Sequence, residues 1–304
     1  MSGARPRFLV VVRAGDASLH PTWIDAARPR TFDLVVSHYG ADPSRYRDAP
    51  FPRIDDAGQK FHGLKHLFLR DGSWRGYDWI WLPDDDLATE HDQIDRLFAV
   101  AEAAALDLAQ PSLEWHSHYS YDVTLHSPAF ALRYTNVVEV MAPCFSRELL
   151  ERALPTFDAN QSSWGLSFVW AKLAAGRSHR SAIVDLANVT HTRPIGGPAY
   201  DLLRARGLDP AAERTELLVR YGLSPQIWPE VLAAIDREGR ELDPARPEDG
   251  ERLRRKLERD ALAFRNARDR IDAASLGHRP PARAPGDIDV ARLREAASRL
   301  RTGA

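Results

Sequence analysis

The sequence predicts an α/β protein whose strands form a mostly parallel sheet. Residues 8–12 and 32–37 are continuous apolar runs rich in valine, as expected of strands buried on both faces of a sheet. Between the second run and a third at residues 78–82, residues 59–69 repeat apolar side chains at helical spacing. Strands that alternate with helices in this way are typical of Rossmann-like sheets.

The chain after the third strand continues the alternation. We predict helices at residues 91–105, 147–153 and 164–174, and strands at residues 106–109 and 182–186. Ser146 has the hydroxyl that favours the N-cap of the second of these helices. Gly196-Gly197-Pro198 breaks the pattern. We therefore expect an α/β domain over residues 1–198 and a helical C-terminal extension over residues 199–304.

Composition excludes several classes of protein. A net charge of −2 gives no overall field that would attract nucleic acid. The single cysteine, Cys144, excludes an intramolecular disulfide and any zinc site with several cysteines, and we expect a cytoplasmic protein. The apolar run at residues 8–12 is too short for a signal-peptide core. No segment approaches the ~20 apolar residues of a membrane span.

The C-terminal part is basic. Residues 251–304 contain 14 Lys and Arg side chains against 8 Asp and Glu. Two interpretations stay open for these helices. They make peripheral contact with an anionic membrane, or they pack an apolar stripe and leave their charges in solvent.

Three aspartates, Asp84, Asp85 and Asp86, follow the third strand directly. Residues at i and i+2 of an extended segment point the same way, so Asp84 and Asp86 share one side and Asp85 turns aside. Carboxylate ligands suit Mg²⁺ or Mn²⁺ holding a phosphate group, and ligands of such sheets bind beyond the carboxyl ends of the strands. The alternative is a solvated turn in which Asp86 or Thr89 caps the next helix.

The acidic strand is the first of several landmarks that occur in a fixed order along the chain. They are residues 77–87 with their D-x-D pattern, Gln110-Pro111-Ser112-Leu113, residues 138–147, Trp164-Gly165-Leu166 and residues 184–191. From residue 77 to residue 197 the chain resembles the glycosyltransferase-like family called domain of unknown function 707. The resemblance implies a GT-A fold, the Rossmann-like fold of nucleotide-diphospho-sugar transferases. It also implies a divalent cation, a nucleotide-sugar donor and a carbohydrate acceptor.

The resemblance assigns the metal ligands. Asp86 would be the main ligand, Asp84 its partner and His191 a third ligand, and an imidazole ligand favours Mn²⁺ over Mg²⁺. The other interpretation of His191 is a loop histidine that is hydrogen-bonded to backbone.

The same resemblance suggests contacts to the donor. Lys60, Lys65 and Arg193 are candidates for binding the diphosphate, because ammonium and guanidinium groups match phosphate oxygens. Each could equally be a surface cation. Trp164 would form part of a substrate wall, and Gly165 would permit close backbone approach.

One departure concerns the general base. Related sequences carry an acid shortly after Trp-Gly, whereas this chain has Ser167, which cannot act as a base at ordinary pH. Asp158, Glu114 or a histidine of residues 116–126 could replace it, and we expect inversion of configuration. The alternatives are retention, with the leaving phosphate taking the proton, and loss of activity.

Residues 114–126 are rich in aromatic and histidine side chains. Trp115, Tyr119 and Tyr121 could stack on sugar faces or fill core space. His116, His118 and His126 suggest zinc only weakly, since no fourth ligand follows a zinc pattern.

The function predicted from these residues is metal-dependent transfer of a sugar from a nucleotide-sugar to a glycan, a lipid-linked sugar or a small glycoside. A nucleotidyltransferase or phosphotransferase could use the same acidic site, although the chain has no P-loop glycine pattern. A non-catalytic GT-A-like binding module is the third possibility, and Ser167 is its main support.

Overall fold

The computed structural model describes residues 7–174, 179–196, 198–273 and 289–302. The strands are β1 (Phe8–Ala14), β2 (Phe32–His38), β3 (Arg53–Asp55), β4 (Trp79–Trp81), β5 (Leu87–Ala88), β6 (Leu108–Leu113), β7 (Phe130–Thr135), β8 (Cys144–Ser146), β9 (Ser181–His191), β10 (Val231–Asp236) and β11 (Glu241–Leu242). The helices are α1 (Lys60–Arg70), α2 (His91–Ala103), α3 (Arg147–Ala153), α4 (Leu166–Ala174), α5 (Pro198–Ala205), α6 (Pro210–Arg220), α7 (Pro247–Ala273) and α8 (Val290–Thr302).

One large sheet organises the molecule, with the strand order β11-β10-β7-β9-β6-β8-β4-β1-β2-β3. The first four strands along the chain pair in parallel, as β3-β2-β1-β4. Strand β8 lies antiparallel between β4 and β6, β6 is parallel to β9, and β7 and β10 extend the sheet antiparallel. The predicted α/β class with a Rossmann-like parallel half is confirmed.

The surroundings of strand β1 explain why its residues 8–12 are all apolar. Val10 and Val12 belong to one buried cluster, while Leu9 and Val11 belong to a second cluster that includes Phe61 of α1. Helices therefore cover both faces of the strand, and no position is left for an alternating polar side chain. Burying each of these side chains contributes about 1.5–3 kcal/mol to folding.

The predicted N-cap is confirmed, since the Ser146 hydroxyl accepts a hydrogen bond from the Leu149 backbone nitrogen at 3.2 Å. Strand β9 is longer than predicted, because it runs on to His191. Its apolar pattern is interrupted by Asp185, whose charge is balanced within the core by Arg133. That partner lies on β7 and was not apparent in the local sequence.

The prediction that residues 199–304 are helical needs correction. Strands β10 and β11 lie within this segment, and β10 pairs with the edge of β7. A short run such as Val231-Leu232-Ala233-Ala234-Ile235 fits a buried strand as well as a helix. In α8, Leu293, Ala296, Ala297 and Leu300 join the same buried cluster as the apolar face of α2. The C-terminal segment therefore extends the sheet and covers part of it.

None of the described helices has the length and apolar character needed to cross a membrane.

Candidate metal centre

The acidic triplet lies immediately beyond the carboxyl end of β4 and is held on both sides by backbone hydrogen bonds. Segment 141–143 contacts the triplet from one side. The loop after β1 and the residue that follows β9 contact it from the other side. The bonds run from Leu82 N to Pro143 O (2.8 Å), Asp84 N to Met141 O (2.7 Å), Leu19 N to Asp85 O (2.7 Å) and Thr192 N to Asp86 O (3.1 Å). This network fixes the direction of each aspartate side chain.

Asp84, Asp86 and His191 converge at this point. Each offers one ligand atom, and these three atoms all lie within 4.8 Å of one another. The Nε2 atom of His191 is 3.4 Å from Asp86 Oδ2. A cation with bonds of about 2.1 Å holds its ligand atoms about 3–4 Å apart, so the spacing suits one ion. Pairing of β5 with the end of β9 sets Leu87 opposite His191 and brings the distant histidine to the aspartates.

The tautomer of His191 suits a metal ligand. Its Nδ1 atom is 2.8 Å from the backbone oxygen of His118 and can only donate there. The lone pair of the neutral ring is therefore on Nε2, which faces Asp86. Metal-binding histidines commonly donate their other ring nitrogen to a carbonyl in this way.

One oxygen of the Asp86 carboxylate is an unsatisfied hydrogen-bond acceptor. Its Oδ1 atom is buried and has no hydrogen-bond partner within the described chain. Burial is the largest single influence and raises the pKa of Asp86, but the contacts with His191, Arg193 and the backbone together outweigh it, so the pKa is lowered. A buried carboxylate oxygen without a donor is costly. The ligand set of two carboxylates and an imidazole therefore fits a divalent cation such as Mn²⁺ or Mg²⁺.

Asp85 faces away from this group, as predicted. Its Oδ2 atom accepts from the backbone nitrogen of Gly15 at 2.7 Å, and its Oδ1 atom is 3.2 Å from Arg193 Nη1. Arg193 also donates to the Ala17 carbonyl at 2.8 Å. Asp85 thus ties the triplet to the end of β1, and the structure pairs Arg193 with Asp85.

Lys60 and Lys65, both on α1, have different surroundings. Lys60 Nζ lies 2.7 Å from Asp84 Oδ1 and donates to the Val140 carbonyl at 2.7 Å. Burial lowers the pKa of Lys60 and raises that of Asp84, and their mutual attraction opposes both shifts. Lys60 therefore adjoins the metal ligands, whereas Lys65 pairs with Asp158 at 2.6 Å.

The two carboxylates predicted as general bases lie apart from the metal ligands. Asp158 is exposed, and its hydrogen bond to Lys65 lowers its pKa. Glu114 is half-buried just after β6, and burial raises its pKa. In the described part of the chain, neither side chain forms a hydrogen bond or ion pair with Asp84, Asp86 or His191. Their catalytic roles stay predictions.

Trp164 and Gly165 lie at the start of α4. The indole nitrogen of Trp164 donates to the Tyr200 hydroxyl at 2.6 Å, and the indole is 39% exposed. Burial raises the pKa of Tyr200, and the negative charges of Asp84 and Glu139 raise it further. The Tyr200 hydroxyl of this aromatic pair is therefore within electrostatic range of Asp84. Gly165 has a φ of +89°, which favours glycine.

The segment at residues 114–126 is partly core. Trp115 and Tyr119 pack edge-on against Phe264 of α7, with ring centroids 6.0 and 6.1 Å apart. The three histidines have separate partners: Thr190 for His116, the ring of His191 for His118 and Ser112 for His126. Among the residues with described positions, the Asp84–Asp86–His191 group is the one set of three such ligands that converges.

Glu139 was missed at the sequence level. It is 2% exposed, and burial raises its pKa to about 7. A single acid inside the apolar run Val137-Val138-Glu139-Val140-Met141 was the available signal, because a carboxylate is rarely buried without a purpose.

No protein-family model matches the sequence, and no curated protein matches it. Among solved structures, residues 1–349 of TarS from S. aureus match with 14% identity and a TM-score of 0.44, over 98% of this chain and 92% of that one. A longer TarS structure matches with 12% identity and a TM-score of 0.43, over 71% of this chain and 42% of that one. This chain thus spans less than half of the longer TarS chain. Glucosyl-3-phosphoglycerate synthase from Mycobacterium tuberculosis, in complex with Mn²⁺, UDP-glucose and phosphoglyceric acid, matches with 15% identity and a TM-score of 0.43, over 72% and 80% of the two chains.

Proposed function

We propose that this protein is a metal-dependent glycosyltransferase that moves a sugar from a nucleotide-sugar donor to a carbohydrate acceptor. The observation that carries the proposal is the convergence of Asp84, Asp86 and His191 beyond the carboxyl end of β4, with one carboxylate oxygen buried and unpaired. This edge of a Rossmann-like sheet is where nucleotide ligands bind.

Different residues would bind the cation and the phosphates in such a reaction. Asp84, Asp86 and His191 would hold the cation, and the imidazole ligand favours Mn²⁺ over Mg²⁺. When bound, the cation would stabilise the negative charge that grows on the diphosphate leaving group. Lys60 would donate to the same phosphates, and the contact of its ammonium group with Asp84 supports this role.

Other residues keep this arrangement in place. Asp85 and Arg193 tie the acidic triplet to the loop after β1, so the ligands are positioned before the donor arrives. Arg193 is 45% exposed at its side chain and can still reach a phosphate. The aromatic pair of Trp164 and Tyr200 offers rings on which a sugar can stack. We propose that the acceptor binds on this side.

The first experiment is thermal unfolding with UDP, GDP, CMP and TDP and their sugar conjugates, including UDP-glucose, each with Mn²⁺ or with EDTA. A ligand at ~100 times its dissociation constant adds about 2.7 kcal/mol to the free energy of unfolding. We expect one nucleotide class to stabilise the protein only when Mn²⁺ is present. The Asp86→Ala variant should lose this stabilisation and keep its fold in EDTA.

Asp92→Asn is the matched control, because Asp92 is an acid on α2 whose side chain is 44% exposed and whose ion-pair partner is Arg28. It should respond to nucleotide and Mn²⁺ as the wild type does. If no nucleotide stabilises the wild type, the non-catalytic alternative is favoured. If a nucleotide binds, the products separate the remaining classes: release of a nucleoside diphosphate or monophosphate with sugar transfer supports a glycosyltransferase, whereas release of pyrophosphate indicates a nucleotidyltransferase.

A further inference from the structure

A second buried carboxylate, Glu139, lies on the segment that lines the candidate metal centre. This segment connects β7 to β8, and two of its carbonyls contact the site: Val140 O accepts from Lys60, and Met141 O accepts from the backbone of Asp84. Glu139 directly precedes Val140. Ser120, which donates to the Glu139 carboxylate, lies two residues after His118, whose backbone oxygen contacts His191, so Glu139 lies in the neighbourhood of the candidate metal ligands.

The two carboxylate oxygens of Glu139 have different surroundings. Oε1 accepts from the Ser120 backbone nitrogen at 3.3 Å, and the Glu139 backbone is fixed by a 2.6 Å hydrogen bond to Gln110. Oε2 is buried and has no hydrogen-bond partner in the described chain. A buried carboxylate oxygen without a donor is costly, so a proton or hydroxyl group brought to it by a bound molecule would be stabilised there.

The groups around Glu139 belong to the side where an acceptor would bind. They are His191 at the end of β9, Tyr121 in the loop after β6 and Tyr200 on α5. Tyr200 is hydrogen-bonded to Trp164, and it feels the charges of both Asp84 and Glu139. A metal ligand and an unpaired carboxylate therefore lie near the same aromatic pair.

We infer that Glu139 is the general base of the transfer. This assignment rests on the proposed glycosyltransferase function. In the step, the acceptor oxygen forms its bond to the anomeric carbon of the donor while its proton moves to Glu139 Oε2. The bond from the anomeric carbon to the donor phosphate breaks, and its electron pair leaves with the nucleotide. Attack from the face opposite the leaving group inverts the configuration.

The other carboxylates predicted for this role are less well placed. Asp158 is exposed and already paired with Lys65, and that pairing lowers its pKa. Among the described residues, no hydrogen bond or ion pair joins the Glu114 side chain to the candidate metal ligands. Burial raises the pKa of Glu139 to about 7, because the charged form is poorly solvated there, while hydrogen bonds from Ser120 moderate the shift. A base is most effective when its pKa lies near the working pH.

The test is the Glu139→Gln variant, which keeps an oxygen that accepts from Ser120 but cannot take a proton. The probe is the nucleotide sugar that stabilises the wild type with Mn²⁺, with water as the acceptor and release of the nucleotide as the signal. We expect kcat to fall at least 100-fold, as for the loss of a general base. The acidic limb of the kcat profile, on which the wild type loses activity as the base becomes protonated, should disappear, and the Kd of the donor with Mn²⁺ should stay within about threefold of the wild type.

Glu139→Asp is the second variant. It should keep the acidic limb at a reduced kcat, because the carboxylate remains but is shorter by one methylene. It also keeps the assignment testable if Glu139→Gln does not fold, since loss of the limb from this aspartate variant would overturn the role. Glu114→Gln and Asp158→Asn, measured in parallel, should retain the limb.

The outcomes separate the two proposals. The assignment would be overturned if Glu139→Gln kept the kcat of the wild type and an unchanged acidic limb. It would also be overturned if the acidic limb were lost only in Glu114→Gln or only in Asp158→Asn. Failure of the wild type to bind any nucleotide with Mn²⁺ would instead overturn the proposed function itself. Metal-dependent binding without any turnover of the donor would favour the non-catalytic alternative, and it would also overturn a role for Glu139 as base.

Discussion

The Nδ1 atom of His191 lies 2.8 Å from the backbone oxygen of His118, and this contact turns Nε2 toward Asp86. A backbone carbonyl at this distance orients the ring whatever side chain residue 118 has. The fold of the chain, through β5, β9 and the loop after β6, therefore sets the orientation of this candidate ligand.

We predict that His191→Ala weakens Mn²⁺ binding by 10-fold or more, because one of three protein ligands is lost. Binding of Mg²⁺ should weaken less, since Mg²⁺ prefers oxygen ligands. Isothermal titration with each metal measures both affinities. His66→Ala is the control, as His66 is exposed on α1. Equal losses for the two metals would mean that His191 shapes the site without binding the ion.

The buried pair of Arg133 and Asp185 gives a prediction about stability. Arg133 Nε lies 2.7 Å from Asp185 Oδ2, and the two side chains are 3% and 0% exposed. Removing Asp185 leaves the buried charge of Arg133 without its partner. Asp185→Ala should therefore lower the free energy of unfolding by about 3–5 kcal/mol. Urea denaturation measures the change.

The control for this prediction is an exposed pair, Glu216 with Arg220 on α6. Glu216→Ala should cost less than about 1 kcal/mol, because exposed ion pairs contribute little. The double variant Arg133→Met, Asp185→Leu should recover most of the stability, since an apolar pair needs no charge compensation. A loss in the double variant as large as in Asp185→Ala would show that packing, rather than charge, determines the cost.

The parts of the fold and site that could be predicted from sequence depend on local pattern. The valine-rich run of β1 and the serine at the start of α3 act on their immediate neighbours, so their roles could be inferred from adjacent residues. The alternation of Asp84 and Asp86 has the same local origin. It predicted two candidate ligands on one side and Asp85 on the other without knowledge of the tertiary structure.

What was missed depends on contacts between distant segments. Asp185 interrupts an apolar strand and is tolerated because Arg133 lies on the neighbouring strand. Lys65 was grouped with Lys60, yet five positions along α1 set it beside Asp158. Glu139 looked like an isolated acid in an apolar run, and only the tertiary structure shows that one of its oxygens lacks a partner.

His20 gives a prediction about pH. It is 0% exposed, and its Nδ1 atom lies 2.7 Å from the Ser18 hydroxyl. Burial, with a smaller effect from His38, lowers its pKa from 6.5 to about 4. The unfolded chain therefore binds a proton that the folded protein excludes between these values. Stability that is fully present above pH 6.5 should fall as the pH drops from 6.5 toward 4.

The measurement is the free energy of unfolding between pH 4 and pH 7.5, for the wild type and for His20→Gln. Glutamine can still hydrogen-bond to Ser18 but does not titrate, so the variant should lose less stability on acidification. Identical slopes in the two proteins would assign the acid sensitivity to other groups.

The packing of α8 decides whether the C-terminal segment is part of the core. Leu300 is 4% exposed and lies in the buried cluster that also contains residues of α2. Leu300→Ala should therefore lower the free energy of unfolding by about 2–5 kcal/mol, as for other buried leucines. Leu262→Ala on α7 is the matched control, because that leucine is 54% exposed and the substitution should cost less than about 0.5 kcal/mol.

A similar small cost for both variants would mean that α8 is an accessory helix and that the boundary predicted at residues 198 and 199 separates two independent parts. A large cost for Leu300→Ala alone, in a single cooperative transition, would mean that α8 folds together with the sheet that carries the candidate metal centre.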